Sequence, residues 1–230
     1  MSVRARGREA APSCVASAML NRVSRKIRKA FDIVFYAGVR AGGRLVGSKP
    51  KHRAKDRRVF DQDILPRLAA NDRFARVLFV GCDWYTEHVE DLFDLQGREY
   101  TTIEIDPARA SHGARRHIVG ALADIGRHYQ PGTLDLIICN GVIGWGLNDP
   151  AEIERSMEAC AQVLAAPGVL LLGWDDIPEK LPIPIGEIEA LRRLQPTIPK
   201  GFANSVIRVD NYTKHTFGFF LNPATEGARA

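Results

Sequence analysis

The sequence predicts an α/β fold, in which a mostly parallel sheet carries helices on both faces and ends in an antiparallel hairpin. Three observations predict it. After Phe60, strand-like and helix-like segments alternate, which argues for parallel strands joined by crossover helices. The runs VLFV, LIIC and VLLLG are apolar without interruption, as strands buried on both faces require. Near the end, two strand-like runs flank the turn segment DNYTK, the pattern of a hairpin.

The elements follow in order. Residues 61–70 read as a short helix that Pro66 must kink or restart, because proline lacks the N–H that an interior helical residue donates. Residues 76–80 form the first strand, and Thr86, a good N-cap, opens a helix through Leu95. Residues 100–105 form the second strand. Asp106-Pro107 then caps and starts a helix, since Asp favours the N-cap and Pro the first helical position. A weak third strand spans 117–119 and a strong fourth spans 134–140. Asp149-Pro150 repeats the cap, and Ile153, Met157, Cys160, Val163 and Leu164 share one face of the helix that follows. Pro167-Gly168 turns into a fifth strand at 169–174. A helix around 185–194 precedes the hairpin strands 205–209 and 215–221.

The chain divides into a basic arm at 1–58, a globular domain at 59–223 and a tail at 224–230. The arm holds 16 of the 32 Lys/Arg but only three acids, which leaves 16 basic residues against 24 acidic ones in the rest. Residues 18–39 place Met19, Leu20, Val23, Ile27, Phe31, Val34 and Phe35 at helical spacing among Arg and Lys, a basic amphipathic helix. Two readings stand open for it: peripheral contact with an anionic membrane, or packing of its apolar stripe on the domain. Residues 46–58 read as a basic linker, with no aromatic residues among the charges to stack bases, which argues against nucleic acid as a partner.

No apolar run approaches the roughly 20 residues that a membrane-spanning helix needs, so a cytoplasmic protein, at most peripheral to a membrane, is expected. Cys14, Cys82, Cys139 and Cys160 are scattered, with no Cys-x-x-Cys pair and no Cys/His cluster at zinc spacing. Neither a disulfide nor a metal is expected.

Five stretches in order carry a resemblance to a known family: VLFVGC, TTIEIDP, GTLDLIICNGV, LAAPGVLLLGW and the terminal HTFGFFLNP. Over roughly residues 76–223 the chain resembles class I S-adenosylmethionine-dependent methyltransferases. The resemblance implies a Rossmann-like sheet of seven strands, S-adenosylmethionine as cofactor, and methyl transfer to an oxygen or nitrogen of a small or medium acceptor that it does not identify; the acceptor is a small molecule or, given the basic arm, a lipid-linked one. It places Glu104, at the end of the second strand, on the ribose hydroxyls, because an ionised carboxylate can accept from two O–H donors. Gly81, Asp83 and Tyr85 occupy the glycine turn, Asp106 lies beyond the second strand, Asp124 stands in for an adenine-binding acid, and Asn140 and Gly141 line the methionine moiety.

Two departures concentrate in the first turn. Phe79 replaces an acid that commonly helps fix the methionine amino group, and Asp83 is a nearby substitute for it or a helix cap. Asp83 and Tyr85 replace glycines, so side chains occupy places where backbone normally approaches the ligand. The loop CNGVIGWGLNDP carries Gly141, Gly144, Gly146 and Trp145 where cofactor and acceptor meet in this fold, with Trp145 walling the acceptor pocket. Asp175, Asp176 and His88 are the candidate catalytic bases near that rim, needed only if the acceptor must lose a proton. Two rival functions remain: a scaffold that keeps the fold without transferring methyl groups, and a dinucleotide-dependent reductase. The G-x-G-x-x-G phosphate turn of the latter is absent.

Overall fold

The computed structural model describes residues 54–223, and the amphipathic arm segment read from the sequence lies outside them. The elements are α1 (Lys55–Val59), a π-helical turn (Phe60–Ile64), α2 (Leu65–Ala69), β1 (Arg76–Val80), α3 (Val89–Asp94), β2 (Glu99–Glu104), β3 (His117–Val119), β4 (Leu134–Asn140), α4 (Pro150–Val163), β5 (Leu164–Asp175), β6 (Gln195–Pro196), β7 (Val206–Arg208) and β8 (His215–Asn222). Short 3-10 turns at Pro107–His112, Leu122–Arg127, Ile185–Glu187 and Glu189–Arg193 complete the connections.

The strands form one sheet in the order β3-β2-β1-β4-β5-β8-β6, with β7 also paired to β8. Pairs among β1 to β5 are parallel, and β8 runs antiparallel to β5. Seven strands were expected, and the sheet has eight among the described residues. The difference lies at the far edge of β8, where β6 covers Phe220 and Leu221 and β7 covers Thr216 to Gly218. Pro196 and Pro199 fall at the end of β6 and just after it, and a residue without an N–H cannot extend a ladder.

Alternation along the strands builds a core on each face. Leu78, Val80, Ile137, Cys139, Leu170 and Leu172 pack with Ile153, Met157 and Cys160 of α4. Val77, Phe79, Leu136, Ile138, Val169 and Leu171 pack with Phe60, Ile64, Leu65, Leu68, Val89 and Phe93 on the other face. Phe79 is fully engaged there, 6.3 Å from the Phe60 ring and 6.2 Å from Tyr100. The residue that replaces the expected acid is therefore a core residue. Cys82, Cys139 and Cys160 are free and buried.

Several local expectations are corrected. Among the described residues helical structure begins at Lys55, inside the segment read as linker. Pro66 does sit where the helix restarts, in the first turn of α2 directly after the π-helical turn, whose last bond runs from the Leu65 N–H to the Phe60 carbonyl five residues back. Thr86 does not start the next helix, which begins at Val89; its hydroxyl instead closes the turn after β1. Asp106 does cap, accepting from Ala108 N–H, but the helix it starts is a 3-10 turn, as is most of the segment around 185–194. Among the described residues no helix is long and apolar enough to cross a membrane.

Candidate functional site

In a parallel sheet, ligands collect outside the carboxyl ends of the strands where strand order reverses, here between β1 and β4. A cavity of about 480 Å³ opens at that point. Its walls come from the turn after β1 (Gly81, Cys82, Asp83, Tyr85), the end of β2 (Glu104, Ile105, Asp106), the segment after β3 (Gly120, Ala121, Leu122) and the loop after β4 (Asn140, Gly141, Val142, Trp145).

The chain leaves β1 through Gly81 at φ 83°, a left-handed conformation that favours glycine, and a Cβ there would touch Val142. The next residues bond among themselves instead of opening out. Asp83 N–H donates to Thr86 Oγ1 at 3.0 Å, Thr86 N–H and its hydroxyl both donate to the Asp83 carbonyl at 2.8 Å, and Trp84 N–H donates to Asp83 Oδ1 at 2.7 Å. This closed turn carries its side chains around the cavity without filling it. Tyr85 meets Trp84 edge-on at 5.3 Å and lies under the Arg57 guanidinium at 4.5 Å.

Glu104 is buried and splits its carboxylate between two loops: Oε2 accepts from Cys82 N–H and Oε1 from Asp106 N–H, each at 2.9 Å. A carboxylate has about four lone-pair sites, so each oxygen keeps one for a ligand hydroxyl. Beside it, Ile105 is 68% exposed and presents an apolar wall to the cavity. Arg109 ties the two loops together, 3.5 Å from Asp83 Oδ2 and 3.7 Å from Asp106 Oδ2. The Cys82 thiol is pushed up to about 12, chiefly by burial, and stays protonated.

The structure thus brings Gly81, Asp83, Tyr85, Glu104, Asp106, Asn140 and Gly141 to one cavity. Four expected residues lie elsewhere. Asp124 is exposed and paired with Arg127, because the 3-10 turn carrying it buries Leu122 and Ile125 and turns Asp124 outward; Ala121 and Leu122 line the cavity in its place. His88 is buried behind the turn, 3.5 Å from Asp61 of the π-helical turn and away from the cavity. Asp176 is exposed past the end of β5. Asp175 is buried between His215 and Trp145 and does not line the cavity.

Sequence reasoning missed Arg57, Arg109 and His215. Arg57 falls in a run of charges that reads as linker, although Phe60, Ile64, Leu65 and Leu68 at helical spacing signal a helix whose start lies upstream. His215 gives no signal, since it sits in an ordinary hairpin strand. It is buried, with Nδ1 2.7 Å from Asp175 Oδ1 and Nε2 2.9 Å from Asn140 Oδ1, while Trp145 Nε1–H donates to Asp175 Oδ2 at 3.0 Å. Trp145 is in turn covered by the Lys180 ammonium at 3.5 Å.

No family model matches the chain, and no curated protein matches it. Solved structures do. The N-methyltransferase NodS from Bradyrhizobium japonicum WM9 superposes with a TM-score of 0.54 at 17% identity, covering 74% of this chain and 97% of that one. Its complex with S-adenosylhomocysteine gives 0.57 at 17%, covering 75% and 89%. A TehB-like S-adenosylmethionine-dependent methyltransferase from Corynebacterium glutamicum gives 0.52 at 18%, covering 80% and 95%. The fold these proteins share, the class I methyltransferase fold, is the fold of this chain.

Proposed function

We propose that this protein is a methyltransferase that uses S-adenosylmethionine to methylate an oxygen or nitrogen of a small acceptor. The observation that carries the reading is Glu104: a buried carboxylate, fixed by two backbone N–H donors and keeping free lone pairs, at the end of β2 beside an open cavity. That is the chemistry a ribose diol requires. Ile105 offers an apolar face for a purine ring, and Asp83 and Asn140 border the part of the cavity nearest β1 and β4.

The cofactor supplies an electrophilic methyl group on a sulfonium. The chain's own contribution is to align an acceptor with it and to exclude water, since positioning provides much of the rate of such a displacement. With His88, Asp175 and Asp176 all outside the cavity, none of the expected bases lines it, which suits an acceptor atom that needs no deprotonation at the site.

The neighbours named above, one of them in complex with S-adenosylhomocysteine, support the reading. An inactive scaffold is the alternative that substituted glycines suggest, but the substitutions leave the cavity open. The basic arm's role is proposed from sequence alone: it brings the domain to an anionic surface, with a lipid-linked acceptor as the corresponding substrate class. Calorimetric titration of S-adenosylmethionine, S-adenosylhomocysteine and NAD into the full chain tests the cofactor assignment. Micromolar binding of the first two without the third is expected. Binding of NAD alone, or of none, refutes it.

A further inference from the structure

The charged groups buried beside the cavity form a chain that methyl transfer does not explain. Asn140 at the end of β4 and His215 at the start of β8 belong to strands that are not neighbours, since β5 lies between them. They meet because residue 173, the β5 partner of Asn140, is glycine. A Cβ at 173 would collide with Asn140 Oδ1 and come within 3.2 Å of His215 Nε2. The missing side chain is the window through which the two side chains touch. On its other side His215 faces Asp175, its cross-strand partner in β5.

The proton inventory of this chain is constrained. Asp175 is 5% exposed, and a buried carboxylate is costly unless paired and hydrogen-bonded. Burial pushes its pKa up, but hydrogen bonds from His215, Thr213 and Trp145 and the charge of His215 outweigh that and hold it below its usual value. His215 Nδ1–H therefore donates to an ionised Asp175. At the other nitrogen the partner is the Asn140 carboxamide oxygen at 2.9 Å, the arrangement in which Nε2 carries a proton and donates. With the amide turned that way both ring nitrogens donate, and the ring stands as the countercharge of Asp175. The Asn140 amide nitrogen has no protein partner among the described residues, and Asn140 lines the cavity.

We infer that the buried His215–Asp175 pair is a positioning device, which holds the Asn140 carboxamide with its oxygen turned inward and its N–H donors on the cavity. With the proposed methyltransferase reading, on which this step rests, the group bound beside Asn140 meets that wall with a hydrogen-bond-accepting oxygen, as a carboxylate, phenolate or carbonyl does, and not with an N–H. Arg57 adds a second donor at the same end, since its guanidinium lies 3.8 Å from where a Cβ on Gly141 would stand, and no carboxylate among the described residues pairs with it. A wall of donors selects for oxygen acids by leaving an amine's own donors unpaired.

The test is nitrogen NMR of the isotope-labelled full chain, which needs neither cofactor nor turnover. Two protonated ring nitrogens at His215 are expected. A bare, pyridine-like Nε2 overturns the inference, because the amide would then be turned with its oxygen on the cavity. The ligand class is tested by titrating benzoate and benzylamine, with and without S-adenosylhomocysteine, against Asn140→Asp. That variant keeps an oxygen for Nε2–H and replaces the cavity-facing NH2 by an oxygen. Wild type should respond to benzoate at least tenfold more tightly than to benzylamine, and the variant should reverse the order. An unchanged order in the variant, or a wild type that prefers benzylamine, overturns it. Failure of S-adenosylhomocysteine to bind would remove the methyltransferase reading without changing the His215 signature.

Discussion

Glu104→Gln perturbs both the fold and the cavity, by amounts that the hydrogen bonds set. The glutamine side chain has the same size but one oxygen and one NH2. One of the two backbone donors, Cys82 N–H or Asp106 N–H, then faces another donor where it now has a carboxylate oxygen at 2.9 Å. Loss of a hydrogen bond to a charged group costs about 1.5–3 kcal/mol. For a chain of this size, about 2 kcal/mol lowers Tm by roughly 4–8 °C. The ligand side is separate. A ribose diol loses one charge-assisted acceptor, about 2 kcal/mol, and S-adenosylhomocysteine affinity falls roughly thirtyfold. Calorimetry and thermal unfolding on the same preparation measure both. A variant whose Tm falls as expected while Kd stays at the wild-type value would refute the placement of the diol on Glu104, and an unchanged Tm would refute the two backbone bonds.

Asp175 gives a pH signature. Its pKa is held below the ordinary 3.8, so the stability it contributes is present above that value and is lost as pH falls through the lower, folded-state value. Asp175→Asn should flatten the acid limb of a stability-versus-pH curve, and an unaltered limb measured by denaturant unfolding would contradict the pairing. Burial pushes the Cys82 and Cys139 thiols to about 12 and raises Cys160 well above its ordinary value, so iodoacetamide should leave all three unmodified in mildly alkaline buffer until the chain is unfolded. Alkylation of the folded protein at any of them, read by mass spectrometry, would count against that burial. Gly144 sits at φ 82° with the Lys180 carbonyl where a Cβ would go, so Gly144→Ala should destabilise by roughly 2–4 kcal/mol in chemical denaturation. A loss under about 0.5 kcal/mol, the range of a neutral surface change, would show that the two loops do not pack as described.

The sheet was legible because its signals are local and periodic. VLFV and LIIC announce buried parallel strands, and Asp149-Pro150 announces a helix start that the Asp149 side chain carries out by accepting from Glu152 N–H. Glu104 was legible through the fold's rule about strand ends. What stayed hidden depends on residues far apart in sequence. His215 and Asn140 are 75 residues apart and Arg57 has no local mark, so neither pairing leaves a period or motif behind. The candidate bases fall outside the cavity lining for a related reason. Asp175 and His88 stand next to the right strand end and the right turn, but alternation along a strand and the winding of a turn decide which way each side chain points. Adjacency to a motif does not.

The turn after β1 shows how the fold survives the loss of its expected glycines. A glycine turn keeps backbone close to a ligand by having no side chains to interfere. Here only the first position, Gly81, keeps a left-handed φ, and the remaining work passes to hydrogen bonds: Thr86 takes both the N–H and the carbonyl of Asp83, and the Asp83 carboxylate is held by Trp84 N–H and Arg109. Each side chain that replaces a glycine is thereby given a partner, Tyr85 against Trp84 and under Arg57, Asp83 against Arg109. If those partners are what keep the cavity open, Arg109→Ala should weaken S-adenosylhomocysteine binding by freeing the Asp83 carboxylate into the site. Calorimetry of Arg109→Ala beside Arg109→Ala/Asp83→Gly separates the two roles. Recovery of affinity in the double variant is expected, and a double variant as weak as the single one would show that Arg109 acts on the ligand directly.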